Sequence, residues 1–519
     1  MGQAVIGYFW KESTVRALWR NATIQQKIWS LFLLTGFLLR LFIAWSDILV
    51  AFQTSMPDDA FYYFQIARNI ARGAGSTFDG LTPTNGYHPL WMVTLVPIYR
   101  FFEHDAELPI HVALSLASVV DLITAIIVYK IVSRAVKWQP AALLVSATYF
   151  LNPYSVLAAT NGLETMVAAL CFVLSIWWYE RIKAESNPSW PPWAVLGGLL
   201  GLLLLARTDY IFFAAALNID ALLRLKPVKR KVKALIILNS VVLLTLAPWL
   251  VWNLVKFGSI MQVSGAAYPY YQRTAKLAEW GSYASVAFLK HELTMAYKLG
   301  AHLARLSGIG KVLPFLMALI AAVILLDQER DRRRQVLGVM ANFIYVVVGA
   351  SIPVMFNGLW RWMILPWYFV PSVIMVTLYV GFALCYLGRR ARTLPYVLAA
   401  LLFVFYGFQY DHLQRAGWLE EQAEAASTLM PAVQEMCQHE PIIGISDSGY
   451  IGYYADCTVV NLDGVVNNQA FLALKGGTFI DYLQANGINY VMLNQHIYPL
   501  IENKDRLVRE GQFWKVLPE

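Results

Sequence analysis

Residues 56–73 read "MPDDAFYYFQIARNIARG". Two adjacent carboxylates, Asp58 and Asp59, stand between an apolar run long enough to cross a bilayer, 28–50, and a segment whose apolar residues Phe61, Phe64, Ile66, Ala67 and Ile70 recur at mixed helical spacing. The setting for this charge pair is an apolar one. Of 519 residues 58% are hydrophobic and 14% charged, far from the balance of an ordinary soluble protein. Apolar runs close to the roughly 20 residues that span a bilayer recur through residue 409. Beyond them the chain turns polar, so residues 28–409 read as a polytopic α-helical membrane domain and 410–519 as a small separate one. Residues 1–27 carry Lys11, Arg16, Arg20 and Lys27 among aromatic residues, and read as a cytoplasmic interfacial helix or a basic flank of the first span.

Basic residues gather in short connections: Lys130, Arg134 and Lys137; Arg181 and Lys183; 224–233; Arg330 and 332–334; Arg389, Arg390 and Arg392. The positive-inside rule puts these loops in the cytoplasm and predicts about eleven spans. They fall near 28–50, 109–132, 139–156, 162–180, 192–206, 209–223, 234–252, 312–327, 336–356, 363–387 and 394–409. The N-terminus is then cytoplasmic and 410–519 extracytoplasmic. "GYHPLWMVTLVPIYRFF" (86–102) would invert every later loop if it crossed, so it reads as a helix lying on the outer face. Residues 51–108 thus form one large external loop and 253–311 a second.

This topology brings Asp58 and Asp59 to the external mouth of the first span. Two readings stand. Acidic residues after Pro57 are ordinary first-turn helix chemistry, facing unpaired N–H groups and the positive dipole end. Alternatively one carboxylate faces a cavity as general base, its pKa raised by partial desolvation and by its neighbour, with Tyr62 and Tyr63 beside it. Glu164 in "TNGLET" (160–165) reads as a helix cap or as a group supporting the base or the acceptor. Arg207 and Asp209 in "ARTDY" (206–210) form a structural ion pair or part of a site. Arg361, between Trp360 and Trp362, either grips phosphate or snorkels in an aromatic belt. Other outer-face cations are His88, Arg273, Lys276, Lys256 and Arg305; "SGAAYPYYQRTAK" (264–276) suits a lid over a sugar phosphate or an interface helix.

The external loop "DDAFYYFQIARNIARGAGSTFDGLTPTNGYHPLW" (58–91) resembles the first periplasmic loop of GT-C glycosyltransferases, membrane enzymes that take a sugar from a polyprenyl-phosphate carrier. It is most similar to bacterial cell-wall arabinofuranosyltransferases. "LWRWMILPWYFVP" (359–371), "DSGYIGYY" (447–454) and "NLDGVV" (461–466) extend the resemblance over the chain. It implies a GT-C fold with interfacial helices in the first loop, a place in the bacterial plasma membrane, a polyprenyl-phosphate sugar as donor and a cell-envelope glycan as acceptor. It implies the first loop aspartate, Asp58, as base, with Asp59 beside it, and inversion at the anomeric carbon. Arg361, Arg207, His88, Arg273 and Lys276 are the candidates for the donor phosphate; Glu164, Tyr62, Tyr63, Asn85 and Asp447 for support or acceptor. The sugar stays open between arabinofuranosyl and hexosyl, because "TNGYHPLW" departs from the arabinosyl pattern at Asn85 and His88.

No Walker loop, dinucleotide glycine pattern or zinc-ligand spacing occurs, so no cofactor or metal ligand set is expected, though a divalent-cation requirement stays open. The basic residues follow the membrane, which argues against nucleic acid as a partner. A lipid-glycan flippase is the competing reading; it calls for mid-membrane charges, broken helices or repeated halves, and none of these is read from the sequence. In the terminal domain an α/β pattern runs from a helix near 416–436 through "PIIGIS", "CTVVNLDG" and a helix near 478–486 to "NYVMLN". Asp463 reads as turn chemistry, and Asp447 as either a turn or a ligand residue. Cys437 and Cys457 are the two cysteines of this domain and are expected to pair; Cys171 and Cys385 fall in spans.

Overall fold

The computed structural model describes residues 22–185, 189–225, 228–283, 285–306, 328–390, 393–415 and 418–518, with scattered positions between 318 and 326. Residues 1–21 of the basic head, most of the expected span 312–327, and Lys226 and Arg392 lie outside the described residues.

Helix α1 (Ile24–Ala44) begins at a capping box in which Thr23 and Gln26 satisfy each other's backbone N–H. Two short helices follow, α2 (Ile48–Thr54) and α3 (Asp58–Ala71), then α4 (Pro89–Phe101). The long α5 (Leu108–Val136) leads to α6 (Gln139–Leu151), α7 (Pro153–Ala159), α8 (Thr165–Lys183), α9 (Trp190–Ala206), α10 (Ile211–Arg224) and α11 (Val228–Phe257). Helices α12 (Val263–Trp280) and α13 (Val286–Leu306) precede α14 (Arg330–Asn342), α15 (Ile344–Met355), α16 (Val370–Arg390) and α17 (Leu394–Arg415). Among the described residues five helices are long and apolar enough to cross a bilayer, or up to seven if α6–α7 and α14–α15 each form one bent span. α4 is not among them: its 13 residues reach only about 20 Å, short of the roughly 30 Å hydrocarbon core.

Two features depart from the sequence reading. Spans are broken: α6 and α7 meet at 59°. There Pro153 cannot continue the α6 ladder, and Asn152 restarts the helix by accepting the Tyr154 N–H. Charge also enters the spans. Arg40 of α1 donates to Asp121 of α5 at 2.9 and 2.6 Å, Tyr149 donates to the other carboxylate oxygen, and the guanidinium lies 3.8 Å from the Phe150 ring centroid. Both charged side chains are 0% exposed. A neutralised pair sealed from water ties helices together and lines no path for a transported ligand.

The terminal domain opens with α18 (Trp418–Cys437). Strands β1 (Ile442–Ile445), β2 (Thr458–Asn461), β3 (Tyr490–Met492), β4 (Leu507–Glu510) and β5 (Phe513–Val516) form a sheet in the order β2-β1-β3-β5-β4. β1 runs parallel to β2 and β3; β5 is antiparallel to β3 and β4. Helices α19 (Gly449–Tyr454), α20 (Asn468–Gly476) and α21 (Phe479–Ala485) complete it. The Cys437–Cys457 disulfide joins the end of α18 to the start of β2, with the Cα atoms 5.2 Å apart.

Candidate active site

Residues four apart share a helix face, so α3 presents Asp58 with Tyr62 on one face and Asp59 with Tyr63 on the next. Neither carboxylate caps its own helix. Asp58 caps another one: Oδ2 accepts the Gly449 N–H at 2.8 Å and Oδ1 the Tyr450 N–H at 2.7 Å, the first two amides of α19. Tyr62 Oη accepts from Ser448 N–H at 3.0 Å and Asn461 Nδ2 at 3.3 Å, and donates to Asp463 Oδ2 at 3.4 Å. The face of Asp58 and Tyr62 is therefore spent on seating the terminal domain. Asp58, 4% exposed, does not present a free carboxylate to a cavity as the loop resemblance implies. The signal for this was the 447–450 turn, whose backbone N–H groups need acceptors.

Asp59 is exposed to solvent on one side and crowded by protein groups on the others, the carboxylates of Asp58, Asp463 and Asp447 among them. On its face, Tyr63 Oη accepts the His88 N–H at 3.0 Å. His88 Nδ1 meets Gln262 Nε2 at 3.1 Å, and its Nε2 lies 3.9 Å from Glu164 Oε1. Arg207 donates to Glu164 at 2.8 Å and grips Asp209 with Nε and Nη2 at 3.2 and 3.0 Å. Asn357 Nδ2 donates to Asp209 at 3.2 Å, and Arg361 Nη1 to Asn357 Oδ1 at 3.0 Å. One polar chain thus runs from Tyr63 to Arg361 and joins five separate stretches of sequence. The turn carrying Glu164 can lie on α3 because Gly162, at φ +73°, has no side chain; a Cβ there would fall 2.8 Å from Ala60 Cβ and Phe64 Cζ.

These partners sort the candidates. Glu164 caps nothing and serves Arg207. Arg207, 5% exposed, has its guanidinium committed to Glu164 and Asp209 and stacked 4.8 Å from the Tyr368 centroid, so it cannot also grip a phosphate in bidentate fashion. Asn85 is saturated: Nδ2 donates to Asn253 and Met261, and Oδ1 accepts from Val263 and Asn468, which makes it a pin between loops rather than a sugar contact. Lys276 pairs with Glu279 and lies over the Trp280 ring. Arg273 donates to the Trp360 carbonyl and stacks on the Trp360 ring, so it braces the Arg361 segment. Arg361 keeps a buried Nε with no hydrogen-bond partner. Its backbone is held by a π-helical turn over Phe356–Trp360 and by Trp362 at φ +54°, an uncommon conformation for so bulky a residue and one that collects at functional sites.

Electrostatics set the two aspartates apart from ordinary carboxylates. Burial foremost, with repulsion from Asp447 and Asp463 partly offset by the α19 amides, holds the Asp58 carboxyl up at about 7. Burial and then the charges of Asp58, Asp463 and Asp447 hold Asp59 at about 8. Burial and Asp447 raise Asp463 to about 6. Burial, outweighing the attraction of Glu164, lowers the His88 pKa and keeps the ring neutral. Asp447 itself is exposed, sits at φ +52° and accepts from Asn494 Nδ2 at 2.7 Å, while its N–H donates to Asp463. Asp463 thus combines the expected turn bond, accepting the Val465 N–H, with a contact to Tyr62 that sequence reasoning missed. Asn357, Gln262 and Asn461 were also missed; Asn357 stands two residues before the aromatic stretch 359–371, the one hint available.

Among solved structures the chain matches ArnT from Cupriavidus metallidurans bound to undecaprenyl phosphate, with 95% of this chain and 98% of that one covered, a TM-score of 0.57 and 13% identity. It matches the Archaeoglobus fulgidus oligosaccharyltransferase in the apo form over 93% of this chain and 72% of that one, TM-score 0.57 and 13% identity. Archaeal oligosaccharyltransferase AglB from the same organism, in complex with an inhibitory peptide and a dolichol-phosphate, matches over 90% and 70%, TM-score 0.50 and 13% identity. The shared feature is the fold: the chain is a polytopic α-helical protein of GT-C architecture with a small terminal α/β domain. A family model described as a domain of unknown function, DUF8728, matches residues 409–517. No curated protein sequence matches the chain.

Proposed function

We propose that the protein is an inverting glycosyltransferase of the plasma membrane, which moves an arabinofuranosyl or hexosyl unit from a polyprenyl-phosphate carrier to a cell-envelope glycan outside the cytoplasm. The observation that carries this reading is the division of α3: Asp58 is consumed in seating the terminal domain, and Asp59 stays open on the face that meets the Glu164–Arg207–Asp209–Asn357–Arg361 chain. The GT-C architecture supports the choice of donor, since two structures of this fold carry undecaprenyl phosphate and a dolichol-phosphate.

In this reading Asp59, rather than Asp58, is the base. It takes the proton of the acceptor hydroxyl, whose oxygen attacks the anomeric carbon from the side opposite the phosphate. The bond from that carbon to the phosphate oxygen breaks, and the polyprenyl phosphate departs with the electron pair. Arg361 holds the phosphate before and during departure, through its unpartnered Nε and through Nη2, which makes only a long 3.5 Å bond to the Gly265 carbonyl. Arg207 is a positioning residue: with Asp209 it orients Asn357, which orients Arg361. Exposed Asp447, on the domain seated by Asp58, faces the incoming glycan.

Purified protein given a polyprenyl-phosphate sugar and a glycan acceptor should release polyprenyl phosphate and form an inverted glycoside, and Asp59→Asn protein should not. Movement of the intact lipid across the bilayer without bond cleavage would overturn the proposal in favour of a flippase.

A further inference from the structure

Helix α8 starts beside Glu164 and its 19 residues carry the chain about 28 Å away, to Lys183. At that far end, on the side the basic loops predict to be cytoplasmic, α5, α8, α10 and α14 enclose a cavity of about 510 Å³. That is room enough for a ligand-sized group. The catalytic reading makes no use of it.

Four cations line the cavity, and they are not equivalent. Lys183 is consumed: its Nζ lies 2.5 Å from Glu180 and 3.8 Å from Asp220, and bonds the Asn342 backbone and side chain at 3.0 Å. Arg224 is paired with Asp220 at 2.7 Å and donates to the Ala341 carbonyl. Arg134 and Arg334 line the same cavity, are exposed, and make no hydrogen bond or ion pair among the described residues. Two carboxylates answer two of the four cations, so the cavity keeps an excess of two positive charges on side chains with free donors. Its apolar wall includes Ile131, Trp177, Val339 and Phe343, and Arg181 and Lys130 stand 4.9 and 5.5 Å from the Trp177 ring centroid, the arrangement of a membrane-interface girdle.

We propose that this cavity binds the phosphate of an anionic membrane phospholipid between Arg134 and Arg334, with the upper acyl chain against Trp177 and Phe343. Guanidinium forks suit a phosphate oxygen pair, and two uncompensated charges favour an anionic headgroup over a zwitterionic one. The apolar wall at interface depth favours a lipid over free phosphate.

The test uses the full chain in detergent, with short-chain phosphatidylglycerol, short-chain phosphatidylcholine and inorganic phosphate as separate probes, read by thermal shift and by native mass spectrometry. Phosphatidylglycerol should raise the unfolding temperature and stay bound, while phosphatidylcholine and phosphate should do neither. Arg134→Gln and Arg334→Gln should each weaken phosphatidylglycerol binding roughly five-fold. The Lys variants at both positions keep the charge and should retain most of the binding. Undiminished binding in the double Gln variant overturns the site. Equal binding of phosphatidylcholine overturns the charge selectivity, and an equal shift from inorganic phosphate overturns the lipid as ligand.

Discussion

Asp58 Oδ2 accepts the N–H of Gly449 at 2.8 Å, a bond between residues 391 positions apart that fastens the terminal domain to helix α3. The approach is possible because residue 449 has no side chain: a Cβ there would fall 2.2 Å from the Asp58 carbonyl oxygen and 2.7 Å from Oδ2. Gly449→Ala must push the domain off its seat, at a cost of about 1–3 kcal/mol by analogy with overpacked cores. Thermal unfolding should begin earlier and the terminal domain should become more sensitive to protease; an unchanged melting curve would show that the interface yields freely.

The disulfide bears on the same seat. Cys437 and Cys457 close a loop with a sequence separation of 20, tying α18, which packs against α2, to the strand that ends at Asn461. Loop-closure entropy assigns such a bond roughly 3 kcal/mol. The Cys437→Ser/Cys457→Ser protein should melt lower under non-reducing conditions, and reductant should lower the wild-type curve without affecting the double variant.

Much of this architecture was legible because composition and local patterning act over short windows: a helix α4 too short to span, the α/β pattern of the terminal domain and the cysteine pair all follow from them. The split of α3 was not. Adjacent aspartates look alike in sequence, and what separates Asp58 from Asp59 is a turn at 447–450 that arrives from the far end of the chain. The same holds for Arg207, which sequence alone leaves open between a phosphate ligand and an ion pair with Asp209 until Glu164 is seen to share it. Short elements also escaped: α19 and the β4–β5 hairpin span too few residues to show a period.

Arg361 should act on donor and transition state alike, because phosphate charge is present in both. Arg361→Ala is therefore expected to weaken donor binding as well as turnover, whereas Arg361→Lys keeps charge but loses the fork and should recover only part. Asn357→Ala removes the acceptor that aims Arg361, and should raise KM for the lipid donor while leaving the enzyme folded. Donor affinity unchanged in Arg361→Ala would remove that residue from the phosphate site.

The two aspartates should fail differently. Asp59→Asn deletes the proposed proton acceptor without touching the seat, so turnover should drop about 100-fold or more with donor binding and unfolding temperature retained. Asp58→Asn sets an amide donor against one of the two α19 N–H groups, a mismatch costing about 1–3 kcal/mol, and should lower the unfolding temperature. Normal turnover in Asp59→Asn protein, with loss in a still-folded Asp58→Asn protein, would return the base to Asp58.

The pH profile tests the same assignment through charge rather than shape. Asp59 must be ionised to accept a proton, and burial with the neighbouring carboxylates holds its pKa at about 8, so kcat/KM should rise with pH and level off above about 8. Asp447 contributes repulsion to that shift and, at φ +52°, tolerates Asn without strain. Asp447→Asn removes a negative neighbour, stabilises ionised Asp59 and should move the ascending limb to lower pH. The same shifts carry a stability consequence of fixed sign. Carboxyls raised above their unfolded value of 3.8 make the native chain bind more protons than the unfolded one, so stability should fall as pH rises from about 4 toward 8. Asp59→Asn removes its share of that fall. A limb that stays in place in Asp447→Asn protein would mean that the titrating base is not the carboxylate these neighbours surround.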